Sequence, residues 1–238
     1  MIILALDSTA EVCSVAVCED NKPLSEITVN TGNTHSQTLL PAVEQALRLA
    51  ELTLDDIDAF ACSVGPGSFT GVRIGVATVK GLAYSKNKPC IAISTLEALA
   101  RNLGDRDGII CPVMNARRNQ VYNALFECKN GAVCRICPDR AISIAELDDE
   151  LSAYTQPVYL CGDGYDITLK GAVNTAFAPV FERSRLQSAY SVALCALDKY
   201  ARGEAVTDAE LVPVYLRPSQ AERERLERTS LQNKNGDQ

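Results

Sequence analysis

One stretch, Ser63-Val-Gly-Pro-Gly-Ser-Phe-Thr-Gly-Val-Arg-Ile-Gly-Val76, constrains this chain more than any other, because it crowds four glycines, a proline and three hydroxyl residues together. Ala59 to Val64 is a short apolar run that reads as a buried strand. Gly65-Pro66-Gly67 is turn chemistry, and Ser68 or Thr70 can cap the helix that follows. A loop of this kind presents backbone N–H groups at a helix start, so its first functional reading is a phosphate cradle on Gly65, Gly67 and Ser68. It is neither a Walker loop, having no Gly-Lys-Ser/Thr, nor a G-x-G-x-x-G turn. Gly71 and Gly75 fall inside the helix, where each costs about 1 kcal/mol relative to alanine. Being four apart they share one face, which predicts close approach of another backbone. Spacing leaves open whether that neighbour is the chain's own sheet or a second chain.

At 238 residues and 47% hydrophobic, the chain suits one large domain or two small ones with a proper core. The apolar start, Ile2 to Leu6, is broken by Asp7 and has no cationic flank. It therefore reads as neither signal peptide nor membrane span, and the expected location is cytoplasmic. Of ten cysteines, Cys13, Cys18, Cys62, Cys90, Cys111, Cys161 and Cys195 lie in apolar runs and read as small core residues in a reducing cell. Cys134-x-x-Cys137 has no second pair at zinc spacing. A net charge of −7 argues against an extended basic nucleic-acid surface and leaves room only for a local patch or a basic partner.

Along the chain, Ile2 to Leu6, Cys13 to Cys18 and Ser25 to Val29 predict a three-stranded meander. Asp7-Ser8-Thr9 at its first turn could hold a nucleotide phosphate or hydrated magnesium, or could be turn chemistry alone. A helix runs from His35 or Ser36 to Ala50, with Pro41 expected to kink it or shift its start. His35, the sole histidine, reads as a surface or capping residue rather than a metal ligand. The strand to Val64, the glycine helix to Lys86, the strand Cys90 to Ile93 and a helix capped by Ser94-x-x-Glu97 follow, giving an α/β architecture with a mixed sheet. After the polar joint Gly104 to Gly108 the pattern restarts. It comprises a strand Ile109 to Met114, a hairpin Val121 to Cys128 and Val133 to Cys137 turning at Asn130-Gly131, and a helix capped by Ser143-x-x-Glu146. A strand Val158 to Cys161, a short helix after Gly162-Asp163-Gly164, a helix Ala189 to Tyr200 and an extended run Leu211 to Leu216 complete it. Arg117 and Arg118, on the loop Asn115 to Asn119, either hold a phosphate or a partner's carboxylate or form a solvated hairpin tip. The expected division is residues 1–105, 106–217 and a polar tail, 218–238, disordered alone and with a helix candidate at 221–228 for a partner.

Asp7-Ser8-Thr9, Thr34-His35-Ser36 with Leu39-Leu40-Pro41, the Gly65 to Gly75 block and Val214-Tyr215-Leu216-Arg217 together resemble the TsaB family, also called YeaZ. The resemblance covers residues 1 to about 217. It implies a two-domain α/β fold of the actin, hexokinase and Hsp70 type. It also implies a non-catalytic scaffold needed to make N6-threonylcarbamoyladenosine in tRNA, binding and activating the catalytic TsaD paralogue together with the ATPase TsaE. ATP and metal are then expected on those partners, with no cofactor, metal or catalytic residue in this chain. The TsaD-facing helices would carry His35, Leu39, Val43, Gly71, Arg73, Gly75, Val76 and Val79. A vestigial nucleotide or phosphate site would comprise Asp7, Ser8, Thr9, Gly65, Gly67 and Ser68, and a homodimer is expected when the chain is alone. On this reading Gly75→Arg leaves the monomer folded and blocks the heterodimer. The sequence departs from TsaD in lacking its His-x-x-x-His motif, and Asp7-Ser8-Thr9-Ala10 lacks the glycine that usually follows the acidic residue in nucleotide-binding relatives. Two rival readings are a small-molecule kinase of the same fold and a peptidase-like hydrolase; no nucleophile-elbow sequence supports the latter.

Overall fold

The computed structural model describes residues 1–217; the expected tail and its helix candidate lie outside them. Strands β1 (Ile2–Asp7), β2 (Cys13–Glu19) and β3 (Lys22–Val29) form the antiparallel meander. Helix α1 (His35–Leu49) leads to β4 (Ala59–Gly65), which pairs parallel to β1; α2 (Phe69–Lys86) leads to β5 (Cys90–Ser94), parallel to β4. The sheet order is thus β3-β2-β1-β4-β5. Alternation along β1 sends Leu4 and Leu6 to one face, under α1 and α2, and Ile3 and Ala5 to the other. Helix α1 begins at His35 and runs through Pro41, so the expected shift of its start does not occur.

After α3 (Thr95–Arg101), the second half repeats the scheme. It contains β6 (Gly108–Asn115), β7 (Gln120–Asn123), β8 (Phe126–Lys129), β9 (Ala132–Arg135), β10 (Arg140–Ser143), α4 (Ile144–Leu151), β11 (Val158–Cys161), α5 (Tyr165–Gly171) and β12 (Phe177–Ala178). Its main path, β10-β7-β6-β11-β12, has two antiparallel and two parallel pairings in the same positions as the first sheet. The expected single strand over Val121 to Cys128 is two strands, pairing with opposite ends of β6. The break at Ala124-Leu125 lies across from Pro112, which has no N–H to give a continuous partner, and Asn123 fills the gap by donating to the Pro112 and Ala124 carbonyls at 3.1 and 2.9 Å.

After α6 (Glu182–Arg185), helix α7 (Ala189–Ala201) corrects the expected division at residue 105/106. Its Ala189, Val192, Ala193 and Ala196 pack on Ile3, Ala5, Ala16 and Ile91, the back of the first sheet. Small side chains on both sides let helix and sheet approach closely. Beyond it Val206 exchanges backbone hydrogen bonds with Cys90, Leu211 enters the first core, and the Val214 N–H donates to Val64 at 2.8 Å. Residues 189–214 therefore complete the first half, not the second. The seven cysteines assigned to the core are buried, as is Cys128; Cys134 is exposed and Cys137 half-buried. Burial pushes the Cys18 and Cys195 thiols up to about 12. Among the described residues no helix is long and apolar enough to cross a membrane. A chain ended at Gln187 uncovers the back of the first sheet and is expected to lose its cooperative thermal transition, followed by circular dichroism.

Candidate functional site

The loops after β4, β6 and β11 meet in a cleft of about 440 Å³ between the halves, lined by Gly67 to Thr70 on one side and Met114 to Arg117, Tyr122 and Asp163 on the other. A neighbouring hollow of about 340 Å³ adds Ala10 and Glu11 from the β1–β2 turn and shares Asn115 and Asp163. This is the position, outside the carboxyl ends of parallel strands where strand direction switches, at which open α/β sheets bind ligands.

The turn after β1 is closed on itself. Asp7 is fully buried, and its carboxylate accepts from Ser63 Oγ at 2.5 Å, Thr9 Oγ1 at 2.7 Å and the Thr9 N–H at 2.9 Å. Burial raises its pKa above the ordinary value although those hydrogen bonds oppose the shift. Ser8 Oγ donates to the Gly71 carbonyl at 2.9 Å, and the Ser68 N–H donates to the Thr9 carbonyl at 2.7 Å. Asp7, Ser8 and Thr9 are thus committed to the fold rather than open to a phosphate, and Gly65 and Gly67 make room for the Val214 and Thr9 carbonyls.

The same turn explains the helix glycines. A Cβ on Gly71 would run into the Ser8 carbonyl, and one on Gly75 would sit 2.5 Å from Ser8 Oγ and 3.3 Å from Leu6 Cδ1. Their close neighbour is the chain itself. Leu39, Val43, Val76 and Val79 lie in the first core, so the expected partner face is corrected: these residues and the two glycines point inward. His35 is also inward, its Nε2–H donating to the Ala10 carbonyl at 2.6 Å and its ring 3.3 Å from the Gly71 Cβ position. Of the expected set only Arg73 is exposed. Its Nε donates to Tyr215 Oη at 2.7 Å, and Tyr215 stacks on Phe69 with centroids 4.6 Å apart. Arg217, two residues on, donates to the Ala116 carbonyl and to Gln120 Oε1, so residues 214–217 strap the halves together beside the cleft.

A family model described as tRNA N6-adenosine threonylcarbamoyltransferase, TsaD, matches residues 27–217. The tRNA threonylcarbamoyladenosine biosynthesis protein TsaB of Bacillus subtilis is 34% identical over 233 residues, covering 93% of this chain and 96% of that protein. The chain belongs to the TsaB family. The TsaB of Haemophilus influenzae is 29% identical, with 90% and 93% covered. A solved Pseudomonas aeruginosa structure described as similar to peptidase YeaZ superposes with a TM-score of 0.79 at 28% identity, over 91% of this chain and 99% of that one. For this TsaB-family chain, sequence reasoning missed Tyr122 and Asp163 at the cleft. Tyr122 looks like an ordinary alternating strand residue, whereas the Gly162-Asp163-Gly164 turn was a usable signal. The second-half arginine loop does reach the site: Arg117 lines the cleft, and residues 117, 118 and 119 all take left-handed φ of 62°, 54° and 55°.

Two outcomes are expected. Gly75→Ala gains about 1 kcal/mol of helix propensity but forces a methyl against a Ser8 hydroxyl already tied to Gly71, at a cost of about 1–3 kcal/mol. The net effect is destabilising in a urea melt, and Gly75→Arg unfolds the monomer rather than sparing it. For Asp7, a raised folded pKa means the native chain holds its proton more tightly than the unfolded one, so this group's contribution falls as pH rises through the ordinary value of 3.8. Asp7→Asn should lose less stability than the parent between about pH 4 and pH 7, measured by urea melts across that range.

Proposed function

We propose that this chain is a non-catalytic subunit in tRNA N6-threonylcarbamoyladenosine synthesis, docking a TsaD-type catalytic chain through the outer face of α2 and the neighbouring α1. The observation that carries the reading is Gly81. It sits inside α2, is exposed, and a Cβ there would meet nothing within 4 Å, so its cost of about 1 kcal/mol has no intramolecular reason. Ala77, Gly81 and Tyr84 repeat along that exposed face at helical spacing. Tyr84 is 78% exposed, and Leu40 on α1 56%. Small residues beside large apolar ones suit close helix–helix packing. Kinship with the TsaD family model supports a related fold as the occupant, and the same face would pair two copies when that partner is absent.

A scaffold role also agrees with the chemistry inside. Asp7 is spent on Ser63 and Thr9, and the only histidine in the sequence has its Nε2 on the Ala10 carbonyl and its Nδ1 buried. A two-histidine metal centre of the TsaD kind does not fit these residues. ATP and the reacting groups therefore belong to TsaD and the ATPase TsaE, and most tRNA contacts to the assembly.

Sedimentation of the chain with TsaD from the same cell should give a new one-to-one species. Gly81→Arg should weaken it by roughly thirtyfold or more without lowering the monomer's melting midpoint, while Gly81→Ala should raise that midpoint. Unchanged assembly with Gly81→Arg would sink the docking face.

A further inference from the structure

We propose that the outer surface formed by the strap, the β6–β7 hairpin tip and the first turns of α2 is a contact for an unpaired stretch of RNA. The choice of RNA rests on the reading of this chain as a subunit of tRNA modification. The surface uses none of the residues of the α2 docking face.

Three segments build it. Helix α2 contributes Phe69 and Arg73, the hairpin contributes Arg117 and Arg118, and the strap between them contributes Tyr215 and Arg217. Tyr215 accepts from Arg73 Nε at 2.7 Å and stacks on Phe69. The Arg73 guanidinium also lies 5.5 Å from the centre of the Tyr215 ring. Two residues on, Arg217 donates to the carbonyl of Ala116, the neighbour of Arg117. Four cations and a pair of stacked rings are thereby joined across both halves of the molecule. None of the four arginines forms an ion pair among the described residues, in a chain whose net charge is −7, so their local field opposes that of the whole chain.

The hairpin tip is held in place. Residues 117, 118 and 119 take left-handed φ of 62°, 54° and 55°, a conformation in which arginine is uncommon. Asn115 Oδ1 accepts the Arg117 N–H at 2.8 Å, and the Asn119 carbonyl accepts the Ile144 N–H at 3.2 Å. Both arginines are carried on this fixed backbone with their side chains exposed. The carboxylates beside the tip are engaged elsewhere: Asp163 accepts the Asn115 N–H at 2.9 Å, and Glu146 accepts the N–H and hydroxyl of Ser143.

Unpaired cations select a polyanion, and the rings select RNA over an acidic protein. Bases stack on aromatic rings and guanidinium planes with little regard to sequence. Tyr215 keeps 39% of its surface exposed although it is already stacked on Phe69. A duplex would offer phosphates but no free base faces, so an unpaired strand is the occupant that uses both the arginines and the rings.

Fluorescence anisotropy of the full chain with a labelled, unpaired RNA of about twelve nucleotides, read at several salt concentrations, tests the surface. Binding should strengthen as salt falls. The double variant Arg117→Ala/Arg118→Ala should lower the slope of log K against log salt by about 1.4, two phosphate contacts at about 0.7 each. Tyr215→Leu should weaken binding roughly tenfold; if it disturbs the strap, the arginine pair at an exposed tip keeps the comparison valid. Gly81→Arg should leave RNA binding unchanged, which separates failure of this surface from failure of the docking face. The proposal is overturned by absence of salt-dependent binding, by equal binding in parent and arginine variant, or by duplex RNA of the same length binding as well as the unpaired strand. Displacement of the RNA by polyglutamate of equal charge would reassign the surface to an acidic protein and equally overturn it.

Discussion

The contact between the Ser8 turn and the glycine face of α2 sets the rest of the first half. Ser8 Oγ holds the Gly71 carbonyl at 2.9 Å, and its own carbonyl occupies the space of a Gly71 side chain. Backbone therefore meets helix with no side chain between them, and α2 lies lower over β1 than any alanine would allow. That height brings Val72, Val76 and Val79 into the core with Leu6 and Leu39. It also puts the helix start at the edge of the cleft and turns Ala77, Gly81 and Tyr84 outward.

One helix thus serves three purposes on separate surfaces. The inner face is structural, the amino end meets the cleft, and the outer face is free for a partner. Arg73 and Phe69 link the last two, because both hold Tyr215 of the strap whose Arg217 grips the second half. Asp7 shows the complementary economy: a buried carboxyl that takes three hydrogen bonds from Ser63 and Thr9 keeps one lone-pair site at most for a magnesium ion and, as an acceptor, offers a phosphate nothing.

Much of this was legible in the chain. The meander, the glycine block with its strand, loop and helix, and the capping box at Ser143 depend on local propensity and short-range hydrogen bonds and are placed as read, whereas at Ser94 only the serine half of the box forms, because Glu97 turns to Arg135 and Lys199. The echo between halves was visible only as a loose similarity, because β10 and β12 are short and polar-flanked. Their equivalence to β3 and β5 emerges from pairing, not from pattern. The break between β7 and β8 depends on Pro112, which lies in a different strand.

The site divides along the same line. Residue types at the glycine block and the arginine loop were determined by the sequence alone, since glycine, proline and consecutive polar residues announce turns and close approaches wherever they occur. Which neighbour those glycines approach was a tertiary decision. Spacing of four puts Gly71 and Gly75 on one face, but only the docking of the Ser8 turn makes that face internal and leaves Gly81 as the α2 glycine with nothing against it. Likewise α7 carries no local mark of belonging to a sheet whose strands begin nearly two hundred residues earlier. Helix periodicity says that a face is apolar; what covers it is decided by long-range packing.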